Sequence, residues 1–246
     1  GYWSAGENFL LDASYDKADK YLTNLEFADI YLWTSFASEK WYDEQYVTGK
    51  LEISTPEEFA MFANMVNEGT TFAGKTVKLV NDIDLSGKFW VPIGSKEHAF
   101  KGTFDAGIYS GEDYSGENYK IKYATVNSVS NSGVNSLGGI FGYVENATIK
   151  NLETVGGDIY GTISGGVVAM SNGSITLLNV ENRNNVTGEQ IAGGIIGKIQ
   201  SENVSNASIV IENCINHGDI DHQNTNYSKD AEISLGGIIG SVDSNA

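Results

Sequence analysis

Hydrophobic and polar positions alternate in short runs along the second half of this chain, and the runs recur. Residues 147–152, 174–180 and 208–215 are short β-prone runs between glycine and asparagine turn signals, which predicts a series of short strands. From residue 119 to 246 no helix-length apolar stripe occurs, so helical repeats do not fit. The runs follow a fixed phrase: Gly138-Gly139-Ile140-Phe141-Gly142, Gly165-Gly166-Val167-Val168-Ala169, Gly193-Gly194-Ile195-Ile196-Gly197 and Gly236-Gly237-Ile238-Ile239-Gly240. A second phrase sits between the copies, as Ile149-Lys150-Asn151-Leu152, Leu177-Leu178-Asn179-Val180 and Ile211-Glu212-Asn213-Cys214. Gly138 and Gly165 are 27 positions apart, Gly165 and Gly193 28, and Gly193 and Gly236 43. The excess in the third interval falls in polar stretches around 202–206 and 221–229. Such a period marks a stacked repeat, with insertions as loops on one face.

The predicted fold class is all-β, a parallel β-solenoid (β-helix) with coils of about 27 residues whose strands stack about 4.8 Å apart. In that register Ile149, Leu177 and Ile211 face inward. Asn151, Asn179 and Asn213 occupy a corner, either as an amide ladder bonded from coil to coil or as surface turns repeated by duplication. Leu152, Val180 and Cys214 face inward after the corner. Gly139, Gly166, Gly194 and Gly237 stand where the chain turns too tightly for a Cβ. Right-handed coiling is the default for parallel crossovers.

The first half reads differently. Thr55 is an N-cap, Pro56 is the first helical residue and Glu58 completes a capping box. Phe59, Phe62, Ala63 and Val66 make one apolar stripe, and Gly69 ends the predicted helix over 55–68. A solenoid has raw strand edges at its ends, and this helix is expected to help cap one of them. A strand follows over 76–80, then turns over 82–87 and apolar runs over 89–93 and 100–104. Residues 1–50 are rich in Tyr, Trp and Phe, with a predicted helix over 18–37. They are expected to pack on the solenoid flank or form a cap, since packing is commoner for such aromatics than sugar stacking. The expected organisation is therefore an aromatic segment over 1–50 and a solenoid over 51–246.

Several phrases in order carry a resemblance. They are Ile53-Ser54-Thr55-Pro56-Glu57-Glu58-Phe59, Val66-Asn67-Glu68-Gly69-Thr70-Thr71-Phe72-Ala73-Gly74-Lys75-Thr76-Val77, Asp82-Ile83-Asp84-Leu85-Ser86-Gly87, Trp90-Val91-Pro92-Ile93-Gly94 and Phe100-Lys101-Gly102-Thr103-Phe104-Asp105. With the later Gly-Gly and Asn-Cys phrases, the stretch 51–246 resembles the GLUG-motif family of bacterial surface proteins. The resemblance implies a β-solenoid on a large secreted or wall-attached protein, often adhesin-like, and implies no catalytic residue set. Two features depart from the family pattern. An acidic, Gly/Tyr-rich insert (108–118) interrupts the run after Asp105, and residues 1–50 match nothing in it.

Charge narrows the partners. With 15 Lys and Arg against 32 Asp and Glu the net charge is −17, which argues against nucleic acid or an anionic membrane surface. No apolar run is long enough for a transmembrane helix and no signal peptide is present in the sequence. The single cysteine, Cys214, permits no intrachain disulfide and reads as a buried thiol. Sequons occur at Asn146, Asn172, Asn185, Asn203, Asn206 and Asn226, and carry meaning only in a glycosylating host. The sequence ends just past a Gly-Gly phrase with nothing to close the last coil. The expectation is an array that continues within a longer multidomain chain, or an end met by a partner.

Residues 69–76 spell G-x-x-x-x-G-K-T, the phosphate-binding P-loop. That chemistry needs strand, loop, then helix, and here the helix comes first. His98, His217 and His222 form no zinc motif. Calcium is the one cation with candidate ligands, at Asp82, Asp84 and Asp105, with Glu112 and Asp113 in the insert. Turn capping by the same carboxylates is the competing role, and no other cofactor is expected. Glu153 and Glu181 fall on adjacent coils, on the outside, at a spacing that would suit a retaining glycosidase pair or a cation clamp; two carboxylates on a solvated face are the competing reading, and the inferred register offers no neighbouring Lys or Arg.

Three functions compete. The leading expectation is a non-catalytic, adhesin-like binding or spacer module, extracellular or on a bacterial surface, presenting loops to host glycans or matrix proteins. Its candidate contacts are Tyr109 and Tyr114 in the insert, the loop near Asn203, and Tyr227. The alternatives are a glycan-cleaving β-helix enzyme with flank carboxylates and a purely structural stalk.

Overall fold

The computed structural model describes residues 31–41, 47–128, 136–202, 207–223 and 233–243. The predicted helix over 18–37 falls mainly outside them, and of its described part Trp33–Phe36 forms a single 3-10 turn. The protein is mostly β. Strands β1 (Glu52–Ile53), β2 (Thr76–Leu79), β3 (Ile83–Asp84) and β4 (Thr103–Asp105) come first. A small hairpin follows, β5 (Gly107–Ser110) and β6 (Asp113–Asn118), and then β7 (Lys120–Lys122), β8 (Thr125–Asn127) and β9 (Leu137–Gly138). Two long strands, β10 (Phe141–Gly165) and β11 (Val168–Gly193), lead to β12 (Ile196–Gln200). The last are β13 (Ile209–Glu212), β14 (Ile215–Asn216), β15 (Ile220–His222), β16 (Ser234–Gly236) and β17 (Ile239–Val242). All but β5 and β6 join one 15-stranded sheet, and every pairing within it is parallel.

The repeat sets the register. Phe141 pairs with Val168, Ile149 with Leu177 and Ile163 with Ile191 along β10 and β11. Left-handed backbone bends both strands, at Asn146, Asn151 and Gly156 on β10 and at Gly173 and Asn179 on β11. A column of side chains runs through successive pairings: Val77, Phe104, Ile149, Leu177 and Ile211. The first four are fully buried and Ile211 packs against the same core. Repeats approach so closely that a Cβ on Gly166 would lie 2.4 Å from the Gly194 carbonyl oxygen, and one on Gly194 2.2 Å from that of Gly237. Only glycine fits between backbones at that distance.

Helix α1 (Pro56–Asn67) lies over the start of the sheet. Thr55 accepts from the Glu58 N–H at 3.2 Å, and the Glu58 carboxylate accepts from the N–H groups of Thr55 and Ser54. This reciprocal capping fixes where the helix begins. Its apolar stripe meets aromatic rings. Phe59 stacks on Trp90 at 4.5 Å, and Phe62 lies against Phe72, Phe100 and Phe104. The described part of the aromatic N-terminal segment joins this cluster. Trp33 and Trp41 are buried and donate their indole N–H to the carbonyls of Leu85 and Glu52.

One buried polar atom interrupts the apolar packing. Ser171 is fully buried in register between Val144 and Ile199, and its hydroxyl has no hydrogen-bond partner. An unpaired buried hydroxyl costs about 1 kcal/mol or more. Ser171→Val is therefore expected to raise the unfolding free energy by about 1 kcal/mol, measured by urea denaturation. A loss of stability would show instead that the column has no room for two methyl groups.

Candidate functional site

A network of polar side chains begins at Asp105, the last residue of β4. Asp105 is 3% exposed and sits in register between Lys78 and Lys150. One carboxylate oxygen accepts from the Gly107 N–H (3.0 Å) and from Asn151 Nδ2 (2.9 Å). The other accepts from the Tyr109 hydroxyl (2.8 Å) and faces Lys150 Nζ at 3.2 Å. Burial works against the charge on Asp105. The bonds from Asn151, Gly107 and Tyr109 and the charge of Lys150 outweigh it and hold the carboxyl below its ordinary range. The same contact pushes the Tyr109 phenol up, through burial first and then the anion beside it. Gly107 makes this crowding feasible, since a Cβ there would lie 2.8 Å from the Tyr109 ring and 2.9 Å from Asn151 Nδ2.

From Asp105 a line of amides crosses the sheet. Asn151 donates to Asp105, Asn179 donates to Asn151 Oδ1 at 2.9 Å, and Asn213 donates to Asn179 Oδ1 at 3.1 Å. All three asparagines have left-handed backbone, with φ of 55°, 53° and 52°. Asparagine tolerates that region better than most residues, which suits it to a repeated bend. An ionised carboxylate can only accept. Asp105 thereby fixes the amide orientation of Asn151, and each amide fixes the next.

The insert after β4 is the hairpin β5–β6 rather than a loop. Tyr109 and Tyr114 face each other across it with ring centroids 5.8 Å apart and planes tilted by 52°. Lys78 Nζ lies 5.4 Å from the centre of the Tyr109 ring. Asn118, with its amide nitrogen turned toward Tyr114, donates to that hydroxyl at 2.6 Å and to the Asn151 carbonyl at 3.3 Å. The hairpin is thus pinned at both tyrosines to the amide line, while Tyr114 stays 37% exposed and Glu112 and Asp113 sit exposed at its tip. The two other candidate contact regions, around Asn203 and Tyr227, lie outside the described residues.

The calcium candidates are engaged by donors within the chain. Asp82 accepts from the Lys120 N–H (2.9 Å) and faces Lys122 Nζ (2.6 Å), and Asp84 accepts from the Ser86 N–H (2.9 Å). Hydrogen bonds from Ser86 hold Asp84 below its ordinary range despite slight desolvation. Among the described residues, no three His, Cys, Asp or Glu side chains are grouped to hold a metal ion. Residues 69–76 run from the end of α1 into β2, with Phe72 buried against the rings of Trp41, Phe62 and Phe100.

Glu153 and Glu181 are in register on β10 and β11, but their surroundings correct the sequence reading. Lys120 Nζ lies 2.8 Å from Glu153, Arg183 bridges Glu153 and Glu181, and His217 Nε2 lies 3.1 Å from Glu181. Lys120 is the register partner of Glu153 on β7, a strand outside the Gly-Gly repeats compared in the sequence, and Arg183 lies two residues beyond Glu181 on β11. Cys214 is half-buried at the edge of the core, and burial raises its thiol pKa.

A second polar line escaped sequence reasoning. Thr154 Oγ1 donates to Asn182 Oδ1 at 2.7 Å, and Asn182 Nδ2 donates to Asn216 Oδ1 at 2.8 Å. Thr154 and Asn182 are wholly buried. Its signal was present as a polar residue three positions after each ladder asparagine: Thr154, Asn182 and Asn216. Strand alternation alone would have assigned those positions to neither face with confidence, because the bend at the asparagine resets it. No protein-family model, curated protein or solved structure matches this chain.

Proposed function

We propose that the chain is a β-solenoid of the GLUG type, one coil per repeat, which serves as a non-catalytic, adhesin-like binding module on a bacterial surface or secreted protein. The observation that carries this reading is the β5–β6 hairpin. A sheet of parallel strands carries a separate two-stranded hairpin on its surface, and that hairpin holds two tyrosines in a fixed relative pose. Rigid, half-exposed aromatics lose little entropy on binding and offer flat faces to sugar rings or peptide side chains. The proposed ligand is a host glycan or a matrix protein. Lys78 beside Tyr109 would add a donor to sugar hydroxyls or carboxylates.

Glycan cleavage is less well supported. A glycosidase needs a carboxyl free to hand over its proton, whereas Glu153 and Glu181 are each bound by cations. The stalk reading leaves the pinned tyrosine pair without a purpose.

Binding of the labelled full chain to arrayed glycans and matrix proteins, with and without calcium, tests the proposal. A saturable hit is expected, weakened about tenfold by Tyr114→Ala, a loss of about 1.4 kcal/mol. Tyr114→Phe, which keeps the ring against Tyr109 and loses only the hydroxyl contact with Asn118, separates a lost binding face from a loosened hairpin: it should retain most of the binding. Blank arrays from a folded sample would favour the stalk.

A further inference from the structure

One outward column of the sheet is chemically uniform. Thr76, Thr103, Thr148 and Thr176 are register partners on β2, β4, β10 and β11. Each stands one residue before a fully buried core residue, Val77, Phe104, Ile149 or Leu177, so the threonines point away from the core. Thr76 is exposed and the other three are half-buried. Among the described residues their hydroxyls make no hydrogen bond to the chain. The hydroxyls of Thr154 and Thr162, by contrast, both donate to side chains of β11. The rank therefore presents four hydroxyls and four methyl groups at the strand spacing, about 4.8 Å.

The rank has different neighbours on its two sides. Two residues further along each strand lies the column Lys78, Asp105, Lys150 and Leu178. The β5–β6 hairpin reaches over that column, where Tyr109 bonds Asp105 at 2.8 Å and its ring centre lies 5.4 Å from Lys78 Nζ. On the other side Lys101 and Glu145 pair at 2.9 Å. The flanking charges oppose one another: Lys150 faces Asp105, and Lys78 stands in register between Glu52 and Asp105. The wider field is negative. Glu112, Asp113 and Glu117 on the hairpin are exposed, and the chain carries a net charge of −17, which repels an anionic ligand.

We propose that the threonine rank binds an uncharged, extended glycan that lies across the strands, beside the hairpin. The inference rests on the reading of the hairpin as a glycan-binding element, and it specifies the ligand. In an extended glycan successive sugars advance by nearly the strand spacing, so each threonine hydroxyl pairs with a hydroxyl of its own sugar. The threonine methyl groups lie under the C–H faces of the rings. An extended peptide repeats its side chains on one face about every 6.7 Å and falls out of step with the rank within a few strands. A flat crystalline surface is kept off by the hairpin on the same face. Each hydroxyl pair replaces a bond to water and adds little by itself, so affinity accumulates with the number of sugars engaged.

Calorimetric titration of the full chain with β-1,4-linked oligomers of glucose and of N-acetylglucosamine, two and six sugars long, tests this. A hyaluronan hexasaccharide is the anionic control. A neutral hexamer is expected to bind about tenfold more tightly than its dimer. Thr103→Val/Thr148→Val removes two hydroxyls and keeps β-branched side chains suited to a strand. It should weaken hexamer binding about tenfold with an unchanged melting temperature. Hexamer binding that Tyr114→Ala weakens and the valine pair does not would overturn the threonine rank and leave the hairpin reading standing, as would equal affinity of dimer and hexamer. Tighter binding of hyaluronan would overturn the choice of an uncharged glycan. If no neutral hexamer binds, the rank is not a glycan site, and the hairpin reading rests on Tyr114-dependent capture of arrayed matrix proteins alone.

Discussion

Phe62→Ala is expected to lower the unfolding free energy by about 4 kcal/mol. Phe62 is fully buried and touches four rings from three separate stretches of chain: Trp41, Phe72, and Phe100 with Phe104. Those rings belong to different elements, so they cannot collapse into the space together. The cavity cost therefore adds to the lost transfer energy. For a chain of 246 residues the melting temperature should fall by about 10 °C. Phe62→Leu, which keeps most of the volume, should cost less than half as much. Urea denaturation followed by tryptophan fluorescence reads both, since Trp41 and Trp90 are buried in the same cluster. A loss below about 1 kcal/mol for the alanine variant would mean that α1 does not bear on the sheet.

Asp105→Asn should be the second most damaging change, and its cost should depend on pH. Breaking a buried ion pair costs about 3 kcal/mol. Here the Lys150 side chain is 31% exposed, and water screening brings the figure nearer to about 2 kcal/mol. The carboxyl is held below the unfolded value of 3.8 in the folded protein. Such a group contributes its stability above the unfolded pKa and loses it as pH falls through the lower folded pKa. The gap between wild type and Asp105→Asn should thus be full at pH 7 and shrink toward zero well below pH 4. Urea titrations at pH 7 and at pH 3 or below measure it. A pH-independent gap would show that Asp105 acts by shape, not charge. The substitution should also loosen the hairpin, since Tyr109 and Asn151 both donate to this carboxylate. On the proposed binding role of the hairpin, weaker capture of arrayed glycans or matrix proteins would accompany the lost stability.

Much of the fold was legible because it is periodic. Parallel strands one repeat apart carry like residues in like places, so Ile149, Leu177 and Ile211 announce one column without any knowledge of distance. The start of α1 was legible because capping is local: Thr55 and Glu58 are three residues apart and satisfy each other. The hairpin in 107–118 was less so. Its glycines and acids read as an irregular insert, and pairing of Tyr109 with Tyr114 depends on the turn between them.

The sequence by itself determined the repeat, the parallel all-β character, the capped helix and the asparagine bends at Asn151, Asn179 and Asn213, but not those at Asn146, Gly156 and Gly173. These follow from spacing and local chemistry, which a linear chain displays in full. The tertiary structure alone decided that Asp105 heads the amide line, that Lys120 and Arg183 grip the acidic pair, and which way each asparagine donates. Apart from the Arg183–Glu181 contact, those facts join residues 28 to 46 positions apart, through contacts made only once the strands are stacked. Hydrogen-bond direction is a property of the assembled network, because an amide has no preferred end until a neighbour that can only accept supplies one.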